Sequence, residues 1–75
     1  MRVRSILIVQ TDVLKIVSNS VDLLSEDITR KCVSGGRLVI EVQTADRVSL
    51  ENLKSKLAIA PGVNSIIELS TQYVP

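Results

Sequence analysis

The chain has 75 residues with a net charge of +1, and 45% of them are hydrophobic although only 1% are aromatic. A domain of this size buries only about 60% of the surface of its unfolded chain, so we expect it to gain stability by self-association or by binding a partner. The single cysteine excludes an internal disulfide, the absence of histidine removes the commonest zinc and copper ligand, and the near-neutral charge excludes strong long-range attraction to nucleic acid or an anionic membrane.

The first predicted element is a strand over Val3–Val9, a run dense in β-branched residues. Such a run is typical of a central strand that is covered on at least one face. One side of this strand carries two arginines followed by two isoleucines, namely Arg2, Arg4, Ile6 and Ile8. Because charged residues begin that side, we expect its first part to lie in water.

The second predicted element is a helix over residues 12–25. Thr11 or Asp12 is expected to cap its first turn, where the helix dipole also favours an acidic side chain. Hydrophobic residues then recur at helical spacing and predict a buried stripe made of Val13, Ile16, Val17, Val21 and Leu24.

A β-hairpin is predicted next, formed by Ile28–Ser34 and Arg37–Thr44. Gly35 and Gly36 lie between the two strands, and two glycines readily supply the positive φ angles of a two-residue turn. The second strand alternates between apolar and mostly polar residues. Its apolar side, which we expect to pack under the helices, consists of Leu38, Ile40 and Val42.

A second helix is predicted after the hairpin, because leucines recur at helical spacing at Leu50, Leu53 and Leu57. Asp46 and Ser49 stand at the start of this helix. Polar residues at a helix start can help the backbone N–H groups to bind an anion, but we interpret these two as caps of the helix itself.

The segment after Pro61 and Gly62 has two interpretations. As a strand, it presents Val63, Ser65, Ile67 and Leu69 on one face and completes the split βαβ order of ferredoxin-like domains. As a helix, it begins at Pro61 and its stripe is Val63, Ile66, Ile67, Ser70 and Val74. The content of β-branched residues favours the strand. The predicted fold class is α+β: one domain spanning residues 1–75, with an antiparallel sheet and two helices on one face, in the order β-α-β-β-α followed by a fourth strand or a helical extension.

The residue types and their spacing carry no enzyme signature. Cys32 has no histidine to activate it, and we expect it to be a small buried strand residue. Gly35 and Gly36 lack the further glycines and the lysine of a phosphate-binding loop. No spacing of acidic residues brings two carboxylates together for acid–base chemistry. We therefore expect a protein that is not an enzyme and that uses no cofactor or metal.

Five basic residues are the candidates for contact with nucleic acid, namely Arg2, Arg4, Arg30, Lys31 and Arg37. The simpler interpretation is that they are solubilising charges near a turn and a terminus. Sheets that read RNA bases usually also present aromatic side chains, whereas the one aromatic residue of this chain is Tyr73. A stand-alone base-reading module is therefore disfavoured.

The segment Leu38–Leu57 resembles the best-conserved part of the small dimerisation subunit of the archaeal and eukaryotic KEOPS complex. The shared pattern is an alternating strand, a short acidic junction, and a Ser-Leu pair that opens a helix with a further Ser and Leu. These positions are Asp46, Ser49, Leu50, Leu53, Ser55 and Leu57. The resemblance implies a non-catalytic subunit that dimerises and docks on the transferase making threonylcarbamoyl-adenosine in transfer RNA, with transfer RNA present in the complex.

Two positions depart from that family's pattern. Glu51 stands where an arginine usually follows the Ser-Leu pair, and Pro61 with Gly62 interrupts the region in which the family's second helix continues. Both departures suit a divergent paralogue of the subunit. A helix over residues 61–74 would favour this resemblance, and a fourth strand would favour the alternative below.

The alternative resemblance is to ACT and related ligand-sensing regulatory domains. It rests on Leu53–Leu69, where a helix ends in Ala60-Pro61-Gly62-Val63 and an apolar strand follows. Such domains dimerise side by side and bind amino acids at strand–helix junctions. The glycine that often accompanies ligand binding in their first loop is missing between Gln10 and Val13.

The expected partners follow from these resemblances and from the small core. We expect a homodimer, or a heterodimer with a paralogue, formed through an exposed sheet face or an edge strand, with Val39 and Ile6 or Ile8 turned toward the partner. The full set of interface candidates is Ile6, Ile8, Val39, Leu50, Leu53 and Leu57. No apolar run approaches the ~20 residues needed to span a bilayer, and the first ten residues are too few for a signal peptide, so we expect a cytoplasmic protein without membrane contact.

Overall fold

The computed structural model describes residues 2–23 and 26–75. In chain order the elements are β1 (Arg2–Thr11), α1 (Leu14–Val21), β2 (Ile28–Ser34), β3 (Arg37–Thr44), α2 (Arg47–Ala58) and β4 (Val63–Val74). The strands form one antiparallel sheet in the spatial order β2-β3-β1-β4. The predicted α+β class is confirmed, and of the two predicted endings the chain adopts the fourth strand, which gives the order β-α-β-β-α-β.

The core lies on one face of the sheet, because the two central strands bury every second residue there. The buried apolar residues of these strands are Val3, Leu7, Val9, Leu38, Ile40 and Val42. Both helices add to the same cluster, with Val17 and Val21 from α1 and Leu50, Leu53 and Leu57 from α2. Both helices therefore cover this face, which we call the covered face, and we call the opposite one the open face.

The first helix is shorter than predicted and is capped differently. It starts after Val13, whose side chain makes no capping bond, instead of after Thr11 or Asp12. The Thr11 hydroxyl accepts a hydrogen bond from the Val13 N–H and donates one to the Gly62 carbonyl, so it ties β1 to the loop before β4. Asp22 follows the helix as a turn, and the end predicted at residues 24–25 lies outside the described residues.

The buried stripe of α1 also differs from the prediction. Val17 and Val21 are buried as expected, but Ile16 is 64% exposed, and Leu14 packs against the core in its place. Val13 is 40% exposed because it precedes the helix. The predicted member Leu24 lies outside the described residues. An eight-residue helix reaches the sheet with only two turns, so a narrower stripe is sufficient.

The loop before β4 requires a glycine at its last position. Gly62 has φ +86°, and a Cβ atom placed on it would lie 2.5 Å from Val13 Cγ2 and 3.1 Å from Val17 Cγ2. Gly36 in the hairpin turn also has a positive φ, +74°, but a Cβ atom there would meet nothing within 4 Å. Gly62 is therefore fixed by packing as well as by backbone conformation.

A cluster of charged side chains on the covered face attaches β4 to α2. The Glu68 carboxylate accepts two hydrogen bonds from the Arg47 guanidinium, at 3.0 and 3.1 Å, and one from Lys54 Nζ at 2.8 Å. The Thr71 hydroxyl also donates to it. Glu51 lies 2.7 Å from Arg47 and 3.5 Å from Lys54, so the residue that departs from the KEOPS pattern belongs to this cluster.

Two register shifts in the pairing of β1 with β4 break the predicted alternation of the last strand. Val63 pairs with Thr11 and packs against the core, whereas Ile67 pairs with Ile8 on the open face. Leu69 falls at the second shift, between the residues that pair with Leu7 and Ile6, and is 61% exposed. The prediction that Val63 and Ile67 share one face is therefore wrong, because bulges change the side on which the following residues lie.

We expect Gly62→Ala to destabilise the fold more than Gly36→Ala. Both variants introduce a Cβ atom at a positive φ, but only the first forces that atom into Val13 and Val17, which adds about 1–3 kcal/mol of overpacking. Urea unfolding of the two variants measures the difference in the free energy of unfolding. Equal losses in the free energy of unfolding of the two variants would show that the chain relieves the contact at Gly62 without an energetic cost.

We expect the cluster around Glu68 to make stability depend on pH. Hydrogen bonds from Arg47 above all, and then from Lys54 and Thr71, lower the pKa of Glu68 from 4.5 to about 2. Since the folded-state pKa is depressed, the stabilisation is present above about pH 4.5 and is lost as the pH falls toward 2. Glu68→Gln should lower stability at pH 7 and flatten its decline between pH 5 and 2, as followed by thermal unfolding. Glu26→Gln, at an exposed position outside the cluster, is the matched control, and an equal flattening there would contradict the assignment.

Candidate functional site

A row of four side chains crosses the open face from one edge of the sheet to the other. Cys32 pairs with Val39, Val39 with Ile8, and Ile8 with Ile67. Paired residues in antiparallel strands project from the same side of a sheet, so the four side chains form one continuous row, about 14 Å long at the usual strand spacing. Ile67 is 42% exposed, and Val39 and Ile8 are half-buried by their neighbours in the sheet. We call this set the apolar row.

Polar and charged rows flank the apolar row at about 7 Å on either side, the spacing of two residues along a strand. On one side, Arg30 pairs with Glu41, which pairs with Ile6. On the other side, Arg37 precedes Val39 by two residues and therefore projects from the open face. The open face thus has an apolar row at its centre and charged residues on both sides of it, and Ile6 extends the apolar surface on the side of Arg30 and Glu41.

Arginines dominate the charge of the open face. Four project from its strands, namely Arg2, Arg4, Arg30 and Arg37, and Glu41 is the only acidic strand residue that shares this face. Arg4 Nε lies 3.6 Å from Glu41 Oε1, so the one glutamate of this face is paired with one of its arginines. Arg2 lies at the rim, where it shares a depression with Glu26 and Asp27.

The structure separates Lys31 from the other four candidates for nucleic-acid contact. Lys31 pairs with the buried Ile40, so its side chain projects toward the helices. Its Nζ atom donates to the Ser18 carbonyl at 2.5 Å and to the Asp22 carboxylate at 2.6 Å, and both acceptors lie at the end of α1. The arginines are thus brought together on one face, and the lysine stabilises the packing of α1 on β2 instead.

Cys32 is exposed, so the prediction of a buried strand residue is wrong. It lies on the open face of β2, an edge strand, where no element of the described chain covers it. The thiol borders a shallow depression whose other apolar lining residues include Ile6 and Val39. The alternation of β2 was too irregular to show which of its sides is covered.

The leucines of α2 are core residues and do not form an accessible surface. Leu50 and Leu57 are fully buried, and Leu53 is 4% exposed. Three of the six predicted interface residues are therefore already in contact with the chain's own sheet, because the stripe that identified them is the side of the helix facing the core. Ile6, Ile8 and Val39 remain on the open face as predicted, and Ile67 joins them.

The start of α2 is closed by its own cap, as predicted. The Asp46 carboxylate accepts a hydrogen bond from the Ser49 N–H at 2.8 Å, and this bond lowers the pKa of Asp46. The carboxylate occupies the position that an anion would take at the helix N-terminus, so these residues form a cap and not a ligand site.

Neither a metal-binding cluster nor a membrane-spanning helix is found in the described residues, and no known family or curated protein matches the sequence. Residues 2–23 and 26–75 contain no group of three or more side chains placed to hold a metal ion. Neither described helix is long and apolar enough to span a bilayer. No protein-family model and no curated protein matches this chain.

We expect the Cys32 thiol to react with Ellman's reagent in the native protein without denaturant. The thiol is exposed on the open face, so the reagent reaches it directly. The absorbance of the released thiolate, compared with that from Cys32→Ser, measures the reaction. If the thiol reacted only after unfolding, this would contradict the conclusion that the open face is uncovered at Cys32.

Proposed function

We propose that this chain is a non-catalytic subunit that docks another protein on the open face of its sheet. The observation that carries the proposal is the apolar row from Cys32 to Ile67, which crosses all four strands and which no described element covers. Interfaces between proteins combine an apolar centre with a polar rim, as the rows of this face do. The border of arginines keeps such a face soluble until the partner binds.

The leading candidate for the partner is a threonylcarbamoyl transferase, to which a KEOPS-type small subunit would present this face. The resemblance over Leu38–Leu57 supports it, and so do the alternating β3 and the Asp46 cap at the start of α2. Transfer RNA would then lie nearby in the complex. The ending of the chain as a strand departs from that family, in which the second helix continues, and favours the second candidate below.

The second candidate function is a regulatory module that binds an amino acid, as ACT-type domains do. The fourth strand favours it, because β4 completes the ferredoxin-like order of those domains. Against it, the junction of β1 with α1, where such domains hold their ligands, is tightly packed around Gly62, Val13 and Thr11. Both candidates share the non-catalytic role.

We propose that self-association uses a different surface, the outer edge of β4. Two copies stacked through their open faces would bring the four arginines of one against the four of the other, which costs several kcal/mol where the charges lose contact with water. The edge strand β2 carries Arg30 and Lys31, whereas Glu68 is the only charged residue of β4 and is held by α2. The regular run Ser70–Val74 is long enough to pair with a second copy.

We expect Val39→Asp to abolish binding to a threonylcarbamoyl transferase while leaving the oligomeric state of the chain unchanged. The new carboxylate lies in the centre of the apolar row and far from the outer edge of β4. Binding is measured by pull-down with the purified transferase, and mass by light scattering. Val48→Asp is the matched control, because Val48 is 68% exposed on α2. If Val39→Asp is poorly folded, Ile8→Asp makes the same change in the apolar row on the central strand β1, away from the outer edge of β4.

No binding of the wild type to the transferase would contradict the KEOPS candidate. Dissociation of the oligomer by Val39→Asp would contradict the assignment of self-association to β4. Equal loss of transferase binding in Val48→Asp would contradict the assignment of docking to the open face.

For the regulatory candidate we expect at least one of the twenty amino acids to raise the thermal stability of the chain. Saturation at one hundred times the dissociation constant stabilises a protein by about 2.7 kcal/mol, which is a shift of several degrees for a domain of this size. A thermal-shift panel measures it. No shift with any amino acid would exclude this candidate and leave the docking proposal intact.

A further inference from the structure

We infer that the docked protein presents apolar side chains flanked by carboxylates on both sides. The inference rests on the proposed function and adds to it the chemistry of the partner. It depends on the distribution of charge on the open face and on the order of its rows.

The charged strand residues of the open face are predominantly positive. Four arginines and one glutamate project from its strands, a surplus of three positive charges among these strand residues, and Glu26 and Asp27 lie beside Arg2 at the rim. A planar guanidinium binds a carboxylate or a phosphate through two parallel hydrogen bonds, so an arginine border favours anionic groups by geometry as well as by charge. The complementary surface is therefore acidic.

The order of the rows determines where the acidic groups of the partner must lie. Arg37 stands on one side of the apolar row, and Arg30 and Arg4 stand on the other. The strand positions of Arg37 and Arg30 lie about 7 Å from the apolar row on either side, and Arg4 lies one row further away on the side of Arg30. Carboxylates on both flanks of the partner's apolar residues would reach these arginines.

Other occupants fit this pattern less well. A second copy of the chain would bring its own four arginines against those of the first. Nucleic acid would supply phosphates, but it would cover the apolar row with charge, and the face offers no aromatic side chain on which a base could stack. The chain's one aromatic residue, Tyr73, pairs with Val3 and so projects from the covered side.

The residue types that the open face prefers in a partner can be identified by phage display. A library of random twelve-residue peptides is selected for binding to the immobilised chain. We expect the selected peptides to be enriched in Asp and Glu on both sides of Leu, Ile or Val, and to lose binding to Val39→Asp. Their binding should weaken as NaCl is raised from 50 to 500 mM, because salt screens the ion pairs.

Substitutions that reverse or remove a charge then test the role of the arginines that border the apolar row. Arg4→Glu and Arg30→Glu should each raise the dissociation constant of a selected peptide about tenfold or more, because each reverses a charge in the interface. Lys15→Glu makes the same change in charge on the exposed side of α1 and should have little effect. Glu41→Gln removes the one acidic group of the face and should tighten binding severalfold, a gain that loss of structure would not produce.

The outcomes separate this inference from the proposed function. Peptides that depend on Val39 but show no acidic enrichment would overturn the inference and leave docking on the open face intact. Peptides that bind Val39→Asp as well as the wild type would overturn both. Tighter binding of a single-stranded RNA twelve-mer than of any selected peptide, lost in Arg4→Glu, would replace the protein partner with nucleic acid and overturn the inference.

Discussion

A β-sheet has two faces, and this chain forms two helices, both of which pack on the same face. The alternation of β1 and β3 gives each central strand one buried side, made of valines, leucines and isoleucines together with Ser5 in β1 and Thr44 in β3. The other side of the sheet still carries Ile8, Val39 and Ile67 in register, with no element of the described chain above them. Burial of this second apolar set needs a partner, and the docking proposal follows from that need.

Contacts on the covered face position the residues of the open one. Glu68 is held by Arg47 and Lys54 of α2, which fixes the outer strand β4 against the helix layer. Its neighbour Ile67 must then project from the opposite side, where it completes the apolar row beside Ile8. Gly62 acts earlier in the same segment, because its close approach to Val13 sets where β4 begins. The docking surface is therefore a consequence of how the core is assembled.

The sequence was sufficient to predict the features that depend on a regular period. The alternation in β3 identified its covered side and placed Val39 on the opposite face. In β1 the two arginines indicated which side begins in water, and Ile8 lies on that side. Features that depend on irregular pairing could not be predicted. The register shift between Ser65 and Val63 reverses the side taken by Val63. The loose pattern of β2 did not show which of its sides is covered, so Cys32 was wrongly expected to be buried and the side taken by Lys31 was not predicted. The α2 leucines were proposed for an interface because a helical stripe does not reveal whether it packs on the chain's own sheet or on another protein.

The most direct test of the central claim is an NMR titration of the ¹⁵N-labelled chain with the acidic peptide that binds it most tightly. Because the apolar row crosses all four strands, we predict amide shift changes centred on Cys32, Val39, Ile8 and Ile67, with smaller changes at Arg30 and Arg37. The outward sides of α1 and α2 should keep their free-state shifts. Changes centred on those helices, with the open face unchanged, would contradict the claim that the open face is the docking surface.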